Sequence, residues 1–281
     1  MASIALKLFA NYKSEGKCAL SRCMTCNTSP GTKSVRTSTG EMMKARLREA
    51  YQGLEMDMSD TLRVDVVFDF VCPWCYIGKR RLEAALEAWR AEHPGDPEPV
   101  VRWLPYQLNP DIPAGGISRR EYMERKHGPA GPDREKQEHV AALGRGLGLA
   151  FELDRITVQP NTLDAHRLSG CAQRQGWQDK MVEALFRAYF MEGISLNDHD
   201  ALAGLAATVG FDWGQVVAYL ASATDVKAVK RLELEARIAG IDIVPFFVFN
   251  GKVTVAGAHE VKVLLEAMEL ATATEAASVV E

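Results

Sequence analysis

The sequence predicts an α/β fold in which a strand–helix–strand unit and a terminal strand–strand–helix unit are separated by a long helical insertion. Three observations carry this. An unbroken β-branched and aromatic run at 62–70 is followed by Leu82, Leu86 and Trp89 at helical spacing and by a second apolar run from Val100; a helical crossover of that kind joins parallel strands. Between Ile117 and Gly240 the apolar residues fall into helices punctuated by Gly. Beyond them Asn250-Gly251 separates two strand-like runs, the strongest short hairpin signal because both turn residues take positive φ.

Composition bounds the alternatives. The 281 residues are 47% hydrophobic and 25% charged, with a net charge of -4, the profile of a globular chain. No apolar run approaches the ~18 residues of a membrane helix. Mild acidity gives no electrostatic reason to expect nucleic acid. Six Cys are too few for a disulfide scaffold.

Residues 1–57 carry nine basic and five acidic side chains, a net +4 that leaves -8 for the remainder. From Asn11 to Gly40 ten of thirty positions are Ser or Thr without periodicity, so this leader is expected to be disordered. A transit peptide, a tail and an upstream extension before Met58 are all open readings. Lys7 interrupts the apolar stretch Ile4 to Ala10, leaving less than the ~7-residue core of a secretory signal. The body is therefore expected to work in a reducing compartment, the cytoplasm. Cys18, Cys23 and Cys26 lack a fourth ligand nearby and read as adventitious thiols.

Leu62 to Phe70 reads as a core strand. The helix over Lys79 to Ala91 is ended by His93-Pro94-Gly95-Asp96-Pro97, and Val100 to Gln107 is the second strand. Helical signals in the insertion include Leu202/Leu205/Ala206/Val209, Val216/Val217/Leu220 and Met181 to Phe190. Phe246 to Phe249 and Lys252 to Val255 flank the turn, and Glu260 to Leu270 is the closing helix. The expected organisation is a leader at 1–57, an α/β body from 58–116 and 241–271, a helical insertion at 117–240 and a frayed tail at 272–281.

The chemistry centres on Cys72-Pro73-Trp74-Cys75, between the first strand and the first helix. Cys72 falls at the helix start, where unpaired backbone N–H groups and the helix dipole favour a thiolate over a thiol. Pro73 fits the first helical position, where its missing N–H costs nothing. Residues three apart on a helix are ~5–6 Å apart at Cβ, a small adjustment from disulfide distance. Two other readings compete: half of a zinc site, for which the body offers only Cys171 and no close His pair, and inert core thiols, which a helix-start position disfavours. No metal is expected. Upstream of the terminal strand, Pro245 removes a ladder donor; it is either a trans Pro opening the strand or a cis Pro leaving backbone at Val244 free to pair with an extended substrate.

These residues, with Phe68-Asp69-Phe70, Tyr76-Ile77-Gly78, Val244-Pro245-Phe246-Phe247, Trp103-Leu104-Pro105-Tyr106 and Asn161-Thr162-x-x-Ala165-His166-Arg167-Leu168, resemble the thioredoxin fold. More narrowly, residues 62–270 resemble the DsbA-like oxidoreductases of the FrnE type, relatives of the 2-hydroxychromene-2-carboxylate isomerases and kappa-class glutathione transferases. The resemblance implies a disulfide oxidoreductase or isomerase with Cys72 as nucleophile, Cys75 as resolving thiol and Pro245 as a cis-Pro beside them. It implies Val244 presenting backbone to substrate. Trp74 is expected either to pack against substrate and tune the site or to be a plain packing aromatic. No tightly bound cofactor is implied. Glutathione is admissible as co-substrate, a disulfide- or dithiol-containing protein or small molecule is the expected partner, and a homodimer is compatible.

A glutathione-dependent isomerase or transferase is the alternative, weakened because those relatives commonly carry Ser at the position of Cys72. Ile241-Asp242-Ile243, where relatives commonly have a Gly-containing turn, departs from the glutathione-pocket pattern. Asp69 is expected to be solvated at the strand end, with redox tuning or proton transfer the competing role. His166 reads as a hydrogen-bonded structural residue or part of the roof of the site. Cys171 is expected to be buried and inert, or else a third redox thiol.

Overall fold

A computed structural model describes residues 61–128, 131 and 134–273. The leader at 1–57 and all but the first two residues of the tail at 272–281 lie outside the described residues. The central sheet has the order β2 (Val100–Pro105), β1 (Arg63–Phe68), β5 (Phe246–Phe249), β6 (Val253–Ala256). Strand β1 (Arg63–Phe68) leads through α1 (Pro73–Glu92) to β2 (Val100–Pro105), which pairs parallel to it from Arg63↔Val100 to Phe68↔Pro105. Asp65 and Arg102 oppose each other in this register, and the guanidinium grips the carboxylate with two bonds of 2.5 and 2.7 Å. A shift by one residue would break that fork and turn the buried side chains outward.

Strand β5 (Phe246–Phe249) returns antiparallel on the other side of β1, and β6 (Val253–Ala256) pairs antiparallel with β5. The hairpin is one residue longer than its Asn-Gly signal suggests, since Phe249 pairs with Val253 across Asn250, Gly251 and Lys252. Asn250 and Gly251 both take positive φ, 48° and 66°. Asn250 also continues the sheet: its N–H donates to Arg63 O at 2.8 Å and its side-chain oxygen accepts from Arg63 N at 2.7 Å. Helix α9 (Val261–Thr272) packs on α1 and the hairpin.

Between β2 and β5 the chain forms α2 (Arg119–His127), α3 (Arg134–Gly146), α4 (Leu163–Gln173), α5 (Gln178–Glu192), α6 (His199–Val209), α7 (Trp213–Ala221) and α8 (Val226–Ile238). The segment is not wholly helical. Strands β3 (Ile117–Ser118) and β4 (Val158–Gln159) form a two-stranded antiparallel ribbon, too short to leave an alternating apolar pattern. One continuous core runs from the sheet into these helices. Phe68 sits within 4.8–5.7 Å, ring centre to ring centre, of Phe70, Trp103 and Phe186, and Tyr76 of α1 stacks on Phe186 at 4.9 Å. Each fully buried ring contributes about 1.5–3 kcal/mol of transfer free energy.

The edge of β2 is capped by a side chain. Gln178 accepts from Trp103 N at 3.0 Å and donates to Trp103 O at 2.8 Å, replacing a missing neighbouring strand. Charges tie α1 to α5 as well: Lys79, only 1% exposed, meets Glu83, Asp179 and Glu183, and Arg80 pairs with Glu183. Among the described residues no helix is long and apolar enough to cross a membrane.

Candidate active site

Strand β1 ends at Phe68, and the chain turns through Asp69-Phe70-Val71 into α1. Cys72 is the N-cap in extended conformation (φ -94°, ψ 110°) and Pro73 follows inside the first turn. No side chain caps this helix and its first turn holds no acid, so its amino-terminal N–H groups and positive dipole end are left to the Cys72 sulfur. The turn is held by Cys72 N donating to Asp69 O (3.2 Å) and Cys75 N donating to Cys72 O (3.0 Å). Cys72 is 6% exposed and Cys75 fully buried, both as free thiols. Burial pushes the Cys75 thiol well up, reinforced by its hydrogen bond to Cys72 and that neighbour's charge, with a backbone hydrogen bond from Asp69 opposing.

The distal loop completes the surroundings of the pair. The Val244–Pro245 peptide bond is cis, and the Cys72 thiol donates to the Val244 carbonyl at 3.6 Å. That carbonyl therefore faces the sulfur itself. Gly78, one helical turn beyond Cys75, is where α1 meets this loop: a Cβ there would lie 2.7 Å from Pro245 Cγ and 3.2 Å from Phe247 Cζ. The Tyr76-Ile77-Gly78 run thus contains a glycine demanded by contact, a role not readable from sequence without the loop in place.

Asp69 corrects an expectation. It is fully buried rather than solvated, because the chain after β1 passes under the start of α1 instead of reaching the surface. Its Oδ2 accepts from Leu108 N at 2.7 Å. Its Oδ1 lies 3.4 Å from His166 Nε2, and among the described residues neither atom makes a hydrogen bond. His166 is 2% exposed on α4, with its ring packed on Phe70 (4.9 Å) and Phe68 (5.2 Å). It is buried beside Asp69.

The rest of the Asn161 to Leu168 motif is architectural. Asn161 accepts from Gln107 and Leu163 N and donates to Ile112 O, pinning the loop after β2. Arg167 donates to the carbonyls of Tyr219, Leu220, Ser222 and Thr224, satisfying the carboxyl end of α7. Trp74 is half-buried and faces His139 of α3 at 6.2 Å. Cys171 is fully buried on α4. Among the described residues no three His, Cys, Asp or Glu side chains converge as a metal site would need.

The DSBA-like thioredoxin domain family matches residues 63–269. A probable DsbA oxidoreductase from Streptomyces coelicolor is 31% identical, with a TM-score of 0.66 over 75% of this chain and 89% of that one. The uncharacterized protein YwbO of Bacillus subtilis is 26% identical over 199 residues, 69% of this chain and 89% of its own. A 2-hydroxychromene-2-carboxylate isomerase shares the fold at 17% identity, with a TM-score of 0.55 over 74% of this chain and 95% of that one. With the match spanning both halves of the sheet and everything between them, the chain belongs to the DsbA-like thioredoxin-domain family.

Proposed function

We propose that this chain is a thiol–disulfide oxidoreductase working through Cys72 and Cys75. One observation carries the reading: Cys72 sits at an uncapped helix start against the Val244 carbonyl and keeps 6% of its surface exposed, while Cys75 is sealed one turn inside. The less buried sulfur is then the one that meets substrate. Its thiolate attacks one sulfur of a disulfide, the substrate S–S bond breaks, and the first product leaves as a thiolate. Cys75 then gives up its proton and attacks the Cys72 sulfur, and the second product leaves. The Cys72–Cys75 bridge retains the oxidising equivalents, and a low-molecular-weight thiol such as glutathione returns the pair to the dithiol.

Asp69 is the proposed acceptor of the Cys75 proton, since its charge and backbone both act on that thiol. His166 is the proposed positioning residue that holds Asp69 Oδ1 on the far side. Val244 and Pro245 offer an extended backbone to the substrate, and Pro73 and Trp74 form its near wall. In the cytoplasm, the proposed location, a glutathione poise of about -220 to -320 mV favours the dithiol and hence reduction or isomerisation of substrates.

The test is alkylation of the reduced chain across pH, with peptide mass spectrometry, alongside equilibration in glutathione buffers. The expected result is modification at Cys72 at least about tenfold faster than at Cys75 at pH 7, and a reversible Cys72–Cys75 bridge. Equal reactivity of the two thiols, or no intramolecular bridge in any buffer, would overturn the proposal.

A further inference from the structure

The two neighbours of Cys72 in sequence, Val71 and Pro73, together with Trp74, form one wall of a cavity of about 310 Å³ enclosed by α2 and α3. Its floor is apolar, made by Met123, Val140, Leu153 and Phe190. Its polar lining is one-sided: Arg119, Lys126, His127 and Lys136 contribute beside neutral Tyr122 and Gln137, and among the described residues no carboxylate does. Arg119 and Lys126 both lie over the Tyr122 ring, at 5.4 and 5.5 Å, and their hydrogen bonds go to neutral oxygens, of Gln159 and of the Tyr122 hydroxyl. Neither is ion-paired among the described residues. Other cations on the same two helices are, in the pairs Arg120–Glu124, Arg125–Glu121 and Arg145–Glu138. The cluster also stands in a body whose net charge from residue 58 onward is -8.

An apolar pocket of this size fits a small molecule or one large substituent of it. A cationic rim in an otherwise acidic molecule concentrates anions at that one place. We infer that this cavity selects small anionic disulfides: an aromatic or aliphatic body on the Met123–Phe190 floor, a carboxylate on the Arg119/Lys126 rim, and the S–S bond toward Cys72. The inference rests on the redox reading above and adds the substrate class to it. In the first half-reaction the Cys72 thiolate bonds to the near sulfur, the S–S bond breaks, and the far half departs as a thiolate. The Cys75 attack then releases the near half as a thiolate and leaves the protein pair oxidised by two electrons.

The experiment is single-turnover exchange of the reduced full chain with two chromogenic aromatic disulfides of similar size. One is 5,5′-dithiobis(2-nitrobenzoate), with a carboxylate on each ring, and the other is uncharged 4,4′-dithiodipyridine. Taking the ratio of the two rate constants, each normalised to the same probe reacting with free glutathione, cancels the intrinsic nucleophilicity of Cys72. The expected ratio favours the anionic probe. Lys126→Gln with Lys136→Gln should lower it about tenfold, the low end of what charge-focusing clefts supply, and Lys126→Glu, the same two-unit change of charge at one position, should lower it to a similar extent. Lys230→Gln, on an exposed residue of α8 outside the cavity, should leave it within twofold. A wild-type chain that reacts with neither probe would overturn the redox reading and this inference with it. A chain that reacts with both, but whose ratio is unmoved by the Lys126 and Lys136 substitutions, would overturn the inference alone.

Discussion

Replacing Asp69 by Asn removes one charge with almost no change of shape, and the structure says what that should do. The Asn side-chain oxygen can still accept from Leu108 N, as Asp69 Oδ2 does at 2.7 Å, so the loop after β2 keeps its anchor. What is lost is the proposed base for a buried thiol that burial pushes well up. A positioned general base is worth roughly 10²–10⁴ in rate, or about 2.7–5.5 kcal/mol of barrier. We take the lower end, because Asp69 is held by only one backbone hydrogen bond and the 3.4 Å approach of His166. The prediction is that release of the second product slows about 10²-fold while formation of the Cys72 mixed disulfide persists. Rapid acid quench with mass spectrometry reads both steps, and the mixed disulfide should accumulate in Asp69→Asn. A second signature is the pH dependence: without the base the slow step needs the Cys75 thiolate, so its rate should climb about tenfold per pH unit below that raised pKa. Product release in Asp69→Asn at the wild-type rate, with no accumulated mixed disulfide, would refute the reasoning.

Gly78→Ala should destabilise the fold by about 1–3 kcal/mol through overpacking against Pro245 Cγ, 2.7 Å from the new methyl; urea unfolding checks it, and a change below about 0.5 kcal/mol would mean the loop yields freely. Gln178→Ala leaves Trp103 N–H and C=O unpaired in the interior and should cost about 1–3 kcal/mol in the same assay. Desolvation opposes ionisation of Glu183, but Arg80, Lys79 and Tyr76 together hold it below the usual carboxylate range. Its contribution to stability is therefore present above the unfolded carboxylate pKa and is lost as pH falls through the depressed folded value. Acid unfolding of Glu183→Gln should show a shallower loss of stability over that window than wild type, and parallel curves would contradict it.

The elements that announced themselves in sequence were those whose evidence is local. Val64 to Phe68 sit in the core whatever surrounds them, and the 72–75 tetrad needs only a strand before it and a helix after it. Asn250 signalled its turn but not its length, because its bonds to Arg63 depend on a strand nearly two hundred residues away. Asp69 departs from its sequence expectation for the same reason: a single acid past a strand end is usually hydrated, and this one meets Leu108 from the next loop and His166 from α4. The repeated polar letters of the Asn161 motif hide three different duties, a loop clamp, a partner for Asp69 and a helix-end cap. Only the partners distinguish them. The Arg119, Lys126 and Lys136 lining is equally silent, since basic residues on exposed helices are ordinary until a cavity gathers them.

Burial alone dictates the order of the proposed steps. A thiol that is fully enclosed cannot meet a disulfide arriving from solvent, and Cys75 is enclosed on all sides while Cys72 retains 6% of its surface. The same enclosure raises the Cys75 thiol, which keeps it protonated until a mixed disulfide forms one turn away and a base is at hand. The Val244 carbonyl, 3.6 Å from the attacking sulfur, adds a second constraint. A thiol donates to it but a thiolate is repelled by it, so deprotonation of Cys72 frees this acceptor at the moment an extended substrate, with its own backbone N–H, comes to lie along the loop. Replacing Val244 should therefore matter little through its side chain, whereas a substrate methylated at the pairing nitrogen should exchange more slowly with Cys72 than its unmethylated parent. Equal rates for the two peptides would show that substrate does not use this edge.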